Sequence, residues 1–191
     1  MLFETVIKNI TRGAQIKASV LDEIVSDKPT NMQYLMLANL QDGIISDELP
    51  YLKGIDSKYE KYCIKNGSLV ISKNASPVKM AIASVQEGNK ILANGNLYVI
   101  ELDEDKINPY FLKAYLESEN GKAALSRVAV GATLLNLPVE GLKKVIIPLP
   151  DLESQKKIAD QYYAKLSEIK ELKYKLEKAT EELEHIYTEE K

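Results

Sequence analysis

Up to residue 150 the apolar residues of the chain come in short runs; beyond it they form one helical stripe. Tyr34-Leu35-Met36-Leu37, Ser68-Leu69-Val70-Ile71, Met80-Ala81-Ile82-Ala83 and Leu97-Tyr98-Val99-Ile100 have the length and residue types of short strands. Gln41-Asp42-Gly43, Lys65-Asn66-Gly67 and Ala93-Asn94-Gly95-Asn96 separate them with turn chemistry. Val145-Ile146-Ile147 reads as one more short buried strand, ended by Pro148 and Pro150, which cannot donate to a ladder. Asn108-Pro109 predicts a capped helix start leading into Tyr110–Ser118, and a second helix is expected from Gly121 to near Ala129. Gly131 lies between Val128-Ala129-Val130 and Thr133-Leu134-Leu135, where a tight reversal calls for a positive φ. The loops at 22–32 and 50–66 are long for a compact domain, and such loops often bind.

From Leu152 onward there is no glycine or proline, and Asp151 stands where a helix N-cap belongs. Ile169, Leu172, Leu176, Ala179, Leu183 and Ile186 repeat at spacings of three and four, the seam of a coiled coil. Upstream, Ile158, Tyr162 and Leu166 are spaced by four, so the stripe changes register before it settles. A helix of about 38 residues is about 57 Å long. A small domain cannot cover a stripe of that length, so the seam predicts a second helix and a dimer.

The pattern therefore defines an α+β chain: a strand-rich mixed domain over 1–150 and a long helix over 151–191. Composition narrows its class. The chain has 191 residues, 45% of them hydrophobic and 28% charged, which suits one globular domain with an appendage. Its single cysteine, Cys63, excludes an internal disulfide framework and suits a reducing compartment. The N-terminus has no signal-peptide pattern and no apolar run approaches a membrane span, so a cytoplasmic location is expected. The net charge of −3 argues against a strongly basic protein, but 11 of the 28 acidic and 8 of the 25 basic residues lie in 151–191. That leaves 1–150 balanced, with lysines free to gather on one face.

Catalytic patterns fail on inspection. Asn108-Pro109-Tyr110-Phe111 resembles the Asn-Pro-Pro-aromatic loop of adenine methyltransferases, but it lacks the second proline, and no glycine-rich strand–turn–helix precedes it. A capped helix start accounts for the same residues. Glu104-Asp105-Lys106, Glu168-Ile169-Lys170 and Glu171-Leu172-Lys173 match half of a nuclease metal site, and two of the three fall in a charged helix where such triplets are routine. One histidine, His185, and one cysteine leave no zinc cluster and no His-based triad, and no phosphate-binding glycine loop is present. Catalysis, a bound metal and a cofactor are not expected.

Binding chemistry is better represented. Lys53, Lys58, Tyr59, Lys61, Tyr62 and Lys65 crowd one loop region, where lysines suit phosphates and tyrosines suit the backbone, sugars or bases. Lys73, Asn74 and Lys79 flank a proline-containing loop between two strands, and asparagine can pair bidentately with an adenine edge. Arg12, Lys17 and Arg127 complete the candidates for contact with double-stranded DNA; Arg12 and Arg127 are the only arginines of the domain. Tyr62 has an alternative place in the core.

The order of these signals is similar to a known family. Leu116-Glu117-Ser118, Gly121, Gly131-Ala132-Thr133, Asn136-Leu137, Val145–Pro150, Gln155 and Ile158-Ala159 run in sequence into a charged helix. This resembles the specificity (S) subunit of type I restriction–modification systems. Ile10-Thr11-Arg12-Gly13 looks like the opening of its recognition domain, and Tyr34–Asn39 with Gly43-Ile44-Ile45 looks like its first hairpin. Ile64–Lys73 looks like its glycine-plus-apolar strand. The resemblance implies a DNA target-recognition domain followed by a spacer helix, with no catalysis of its own. It also implies a modification methyltransferase as partner and leaves a restriction nuclease open. Such subunits carry two domains and two helices; this chain has one of each, so the resemblance implies either a homodimer with antiparallel helices or one part of a split or truncated gene. The competing reading is a coiled-coil scaffold whose head binds protein.

Overall fold

The computed structural model describes residues 1–131 and 136–186. Among them are ten strands: β1 (Ile7–Arg12), β2 (Val25–Ser26), β3 (Met32–Leu35), β4 (Leu40–Gln41), β5 (Ile44–Ile45), β6 (Tyr51–Leu52), β7 (Leu69–Ser72), β8 (Met80–Ile82), β9 (Lys90–Ala93) and β10 (Leu97–Leu102). The α-helices are α1 (Ala18–Ile24), α2 (Pro109–Glu117), α3 (Glu119–Val128), α4 (Val139–Lys143) and α5 (Leu152–His185). Two four-stranded sheets, ordered β1-β10-β7-β8 and β2-β6-β3-β9, form the domain with a small β4–β5 hairpin. The first sheet is antiparallel throughout, whereas β3 and β9 pair in parallel.

Alternation along the strands builds separate cores on the two faces of the first sheet. Leu69, Ile71, Tyr98 and Ile100 face α2 and α3, where Phe111, Leu112, Leu116 and Leu125 are buried. Val70, Ala81, Leu97 and Val99 face the second sheet with Leu35, Ile91 and Ala93. This is why β7 and β10 read as continuous apolar runs: both of their faces are covered.

Local chemistry sets the helix ends. Asn108 Oδ1 accepts from the amides of Tyr110 and Phe111, with Pro109 in the first turn, and the helix runs as its cap predicts. Ser118 caps α3, which begins at Glu119, two residues before the expected Gly121. Asp151 Oδ1 accepts from the Ser154 amide at the head of α5, and this bond holds the Asp151 carboxyl below the usual carboxylate range. Gly131 has φ +114°. The rest of its predicted reversal, Ala132-Thr133-Leu134-Leu135, lies outside the described residues.

Three expectations are corrected. Tyr34-Leu35 is not the first arm of a hairpin closing on Gly43-Ile44-Ile45. β3 pairs with β6 and, in parallel, with β9, and the hairpin is the shorter β4–β5. Its two-residue turn, Asp42-Gly43, has φ of 51° and 79°, the positive values that match a hairpin's twist. Val145–Ile147 is not a buried strand: Ile146 makes one bridge to Leu2 and points outward, while Val145 and Ile147 point into the core. The first part of α5 also does more than begin a coil. Gln155, Ala159 and Leu166 are buried against the domain, and the change in stripe register marks a second, domain-facing side of the helix.

Gln155 fastens that side. Its side-chain Nε2 donates to the carbonyls of Lys106 and Pro150, and its Oε1 accepts from the Asn108 amide. One turn further, Lys113 of α2 is wholly buried. Its ammonium pairs with Glu117 at 2.9 Å and donates to the Tyr162 hydroxyl, while that hydroxyl donates to Glu117. Burial pushes the Lys113 ammonium below its usual range despite Glu117. Burial also raises the Tyr162 phenol strongly, with help from the bond to Glu117. The β4–β5 hairpin and the segment after it reach the same helix through Asp42–Lys173 and Asp47–Lys170 ion pairs.

Candidate nucleic-acid interface

Sheet register gathers several of the candidate residues at one edge. Arg12 is opposite Tyr98 across β1–β10, Leu97 is opposite Ser72 across β10–β7, and Ile71 is opposite Met80 across β7–β8. The chain leaving these strands therefore places Arg12, Lys73, Asn74, Lys79 and the Gly95-Asn96 turn at the same end of the sheet. Backbone bonds fix them: the Lys73 amide donates to Asn96 O at 2.8 Å, and the Leu137 amide to Lys73 O at 2.8 Å. Asn74 bridges Asn136, which in turn bridges Val130, three residues past Arg127 at the end of α3. Arg12 Nε donates to Gly95 O at 2.8 Å. That bond uses one of the five guanidinium donors and leaves the others for a ligand.

Beside Arg12 runs an open groove of about 470 Å³, with Thr11, Arg12 and Gln15 on one wall and Tyr59, Lys61 and Tyr62 on the other. The second wall is a 3₁₀ segment, Ser57–Tyr62, capped by Asp56. The Tyr59 and Tyr62 rings lie 6.4 Å apart, tilted by 45°, and both pack partly on the core around Tyr34 and Leu92. Lys58 sits over the Tyr59 ring and Lys61 over the Tyr62 ring, each 5.1 Å from the centroid. The two lysines differ in availability. Lys58 is ion-paired with Asp56 at 2.9 Å, and that bond raises its ammonium above the ordinary value. Among the described residues, Lys61, Lys73 and Lys79 have no carboxylate partner.

The other candidates fall elsewhere. Lys17 opens α1, and the Lys53 ammonium donates to Glu23 O in the last turn of the same helix, so these two sit at opposite ends of α1. Lys65 is held by Glu101 at 2.6 Å. Several side chains at the sheet edge were not singled out by the sequence. Asn94 donates to the Tyr34 hydroxyl at 2.6 Å and accepts from the Asn96 amide, and Thr11 and Gln15 line the groove. The Ala93–Asn96 turn cluster was their available signal, legible as a bend but silent about its neighbours. Among the described residues, no three His, Cys, Asp or Glu side chains are placed to hold a metal ion, and no helix is long and apolar enough to cross a membrane.

Two sheet layers, one antiparallel and one mixed, with flanking helices and one long terminal helix make this an α+β domain with a helical arm. A family model for the type I restriction modification DNA specificity domain matches residues 23–182. The chain belongs to that family, whose members are defined by DNA-sequence specificity. Solved structures with the same fold include a protein from a study of complex assembly and conformational transition of the type I restriction–modification system. It is 18% identical, with a TM-score of 0.64 over 97% of this chain and 42% of that one. The S subunit from M. genitalium is 14% identical, with a TM-score of 0.54 over 84% of this chain and 37% of its own. The HsdS subunit from Thermoanaerobacter tengcongensis is 20% identical, with a TM-score of 0.58 over 90% and 38%. The chain thus spans about two fifths of the solved proteins it matches. No curated protein matches it in sequence.

Proposed function

We propose that this chain is one reading half of a type I specificity subunit. Residues 1–150 form the target-recognition domain and residues 151–191 the spacer helix. A homodimer, joined through Ile169, Leu172, Leu176, Ala179, Leu183 and Ile186, presents the same reading edge twice. Its target is then two inverted copies of one short half-site separated by a fixed gap. The chain has no chemistry of its own; it recruits an adenine methyltransferase, and a restriction nuclease where the system includes one.

The observation that carries this reading is the convergence of Arg12, Tyr59, Lys61, Tyr62, Lys73, Asn74 and Lys79 on one sheet edge and its adjoining groove. Cations without carboxylate partners supply the phosphate term, and the asparagines and Arg12 supply donors and acceptors for base edges. Methylation mapping of DNA from cells expressing this chain with its methyltransferase tests the reading. Modified adenines in a gapped palindrome are expected. An asymmetric gapped motif would show that a different second half completes the subunit, and methylation unchanged by deleting the chain would remove the reading.

A further inference from the structure

The β4–β5 hairpin has two residues in each arm, too few to stand without support. Its arms are planted in the domain: Leu40 is buried in the core between the two sheets, with Ile45 packed against it. Its turn, Asp42-Gly43, leans the other way, onto α5 and the buried Lys113. A Cβ added to Gly43 would come within 2.6 Å of Lys113 Nζ and 3.5 Å of a Leu166 methyl carbon. With φ at +79° as well, only glycine lets the turn close so tightly.

The side of α5 that faces the domain changes character along its length. Gln155, Ala159 and Leu166 are buried, and Lys170 and Lys173 continue the same stripe at spacings of four and three. The lower part is held by α2 and by the carbonyls of Lys106 and Pro150. The upper part is held by the hairpin and the segment after it: Asp47 pairs with Lys170 at 2.6 Å, and Asp42 pairs with Lys173. These four side chains are between 41% and 76% exposed, so each pair is weak and screened by salt. The Gln155 and Lys113 contacts are not. Grooves of about 590 and 740 Å³ open on either side of the hairpin, one toward Tyr163 and Ser46, the other toward Pro77 and Lys122. The hairpin is thus a narrow strap with room to lift.

We propose that this hairpin is a salt-labile clasp that sets the inclination of the domain on α5, with Asp42 and Asp47 as its positioning residues. Its place gives it leverage. Lys173 lies about 27 Å along the helix from Gln155, whereas the Tyr163 ring, packed edge-on against Tyr110 of α2, lies only about 12 Å along. A slack of about 2 Å tilts the helix by about 10° when it is held at Tyr163 and by about 4° when it is held at Lys173. One consequence rests on the function proposed above: the inclination sets the distance between two reading edges, so the clasp narrows the range of gaps accepted between half-sites.

Pulsed dipolar distance measurements on the full chain test the clasp. Spin labels are placed at Asp27→Cys in the domain and Glu181→Cys on α5, both exposed positions, with Cys63→Ser removing the native thiol. Labelled chains are diluted into unlabelled ones, so that only distances within one chain are read. The distance distribution should be narrow in about 0.1 M salt and widen toward about 1 M as screening shortens. Asp42→Asn with Asp47→Lys should widen it about twofold at the lower salt, the ratio of the two tilts, and adding Lys170→Glu should narrow it again. The melting temperature should stay within about 3 °C throughout, because exposed pairs contribute little to stability. An unchanged width would overturn the proposal. So would widening that Lys170→Glu does not reverse, since the hairpin would then act through packing and not through charge. Competition between duplexes of graded gap length reads the consequence: Asp42→Asn with Asp47→Lys should accept a wider range of gaps than wild type, and an unchanged range would overturn that step. Widths that respond as expected in a chain that binds no duplex sequence-specifically would leave the clasp standing and remove the proposed function.

Discussion

Replacing Lys113 with methionine isolates the contact that joins the recognition domain to α5. Methionine keeps the length and apolar stem in a site with no solvent exposure and removes the ammonium, with its 2.9 Å pair to Glu117 and its bond to the Tyr162 hydroxyl. Breaking a buried pair from one side costs about 3–5 kcal/mol when the remaining charge is trapped. Glu117 is 28% exposed and still accepts from Tyr162, so water relieves part of that cost and about 2 kcal/mol is expected. Lys113→Met with Glu117→Gln leaves no orphaned charge and should lie within about 1 kcal/mol of wild type. Urea unfolding monitored by circular dichroism reads both, with an unchanged m value confirming that only stability has moved. The same site sets a pH dependence. Because the folded pKa of Lys113 lies below its ordinary 10.5, the unfolded chain holds that proton more firmly. Wild-type stability should therefore rise relative to Lys113→Met as pH climbs through the interval below 10.5. Tyr162, with its raised pKa, acts in the opposite direction above pH 10, so the comparison belongs below that value. Lys113→Met as stable as wild type, or a double variant as unstable as the single one, would show that the buried ammonium is not held by Glu117.

Gln155→Leu should destabilise the chain by about 2–4 kcal/mol, because the Lys106 and Pro150 carbonyls and the Asn108 amide lose their partner together; thermal unfolding in parallel with wild type measures it. At the proposed reading edge, Lys61→Ala and Lys73→Ala should each lower the magnitude of the log–log salt slope of DNA binding by about 0.9, the value of one phosphate contact. Lys58→Ala should change it less, since Asp56 already neutralises that ammonium. Equal effects from all three would detach phosphate binding from ion-pair availability.

How much of this was legible in the sequence depends on the range of the interaction. Caps and breakers act within one turn, so Asn108-Pro109 and Asp151 announced α2 and α5 correctly. The strands β7, β8 and β10 were visible because burial on both faces leaves an apolar run. Pairing was not visible. Nothing within Tyr34-Leu35 says that its partner is β9, more than fifty residues away and parallel, while Asp42-Gly43 advertised a hairpin whose arms proved to be only two residues each. The proposed reading edge failed to appear as a unit for the same reason: Arg12, Tyr59 and Asn74 are brought to one end of the domain only by the fold. Lys113 gave no signal at all, since a lysine in a helix reads as solvated until Glu117 and Tyr162 close over it.

The α5 stripe shows how two structural demands can be mistaken for one irregular pattern. Ile158, Tyr162 and Leu166 look like a seam out of register because the helix carries two apolar faces, one for its own domain and one left open. Tyr162 lies between them, with its hydroxyl committed to the domain. This sharing gives the charges on the open face a role that stability alone does not require. A slip of one heptad in an antiparallel pair would move the attachment points of the two domains by about 10 Å relative to each other, about three base-pair steps along a duplex. A seam held only by leucine and isoleucine would tolerate that slip, since apolar contact is not directional, and the dimer would accept half-sites at two gaps. In the proposed homodimer such a slip would bring Lys173 beside the partner's Lys173 and Lys175 beside the partner's Lys175, so these charges, with Glu168, would penalise the slipped pair. Neutralising all three together should therefore change affinity for the preferred gap little and raise affinity for a gap about three base pairs longer. Competition binding with duplexes of graded gap length measures this. A gap preference unchanged in the neutral variant would place the ruler somewhere other than the charged flanks of α5.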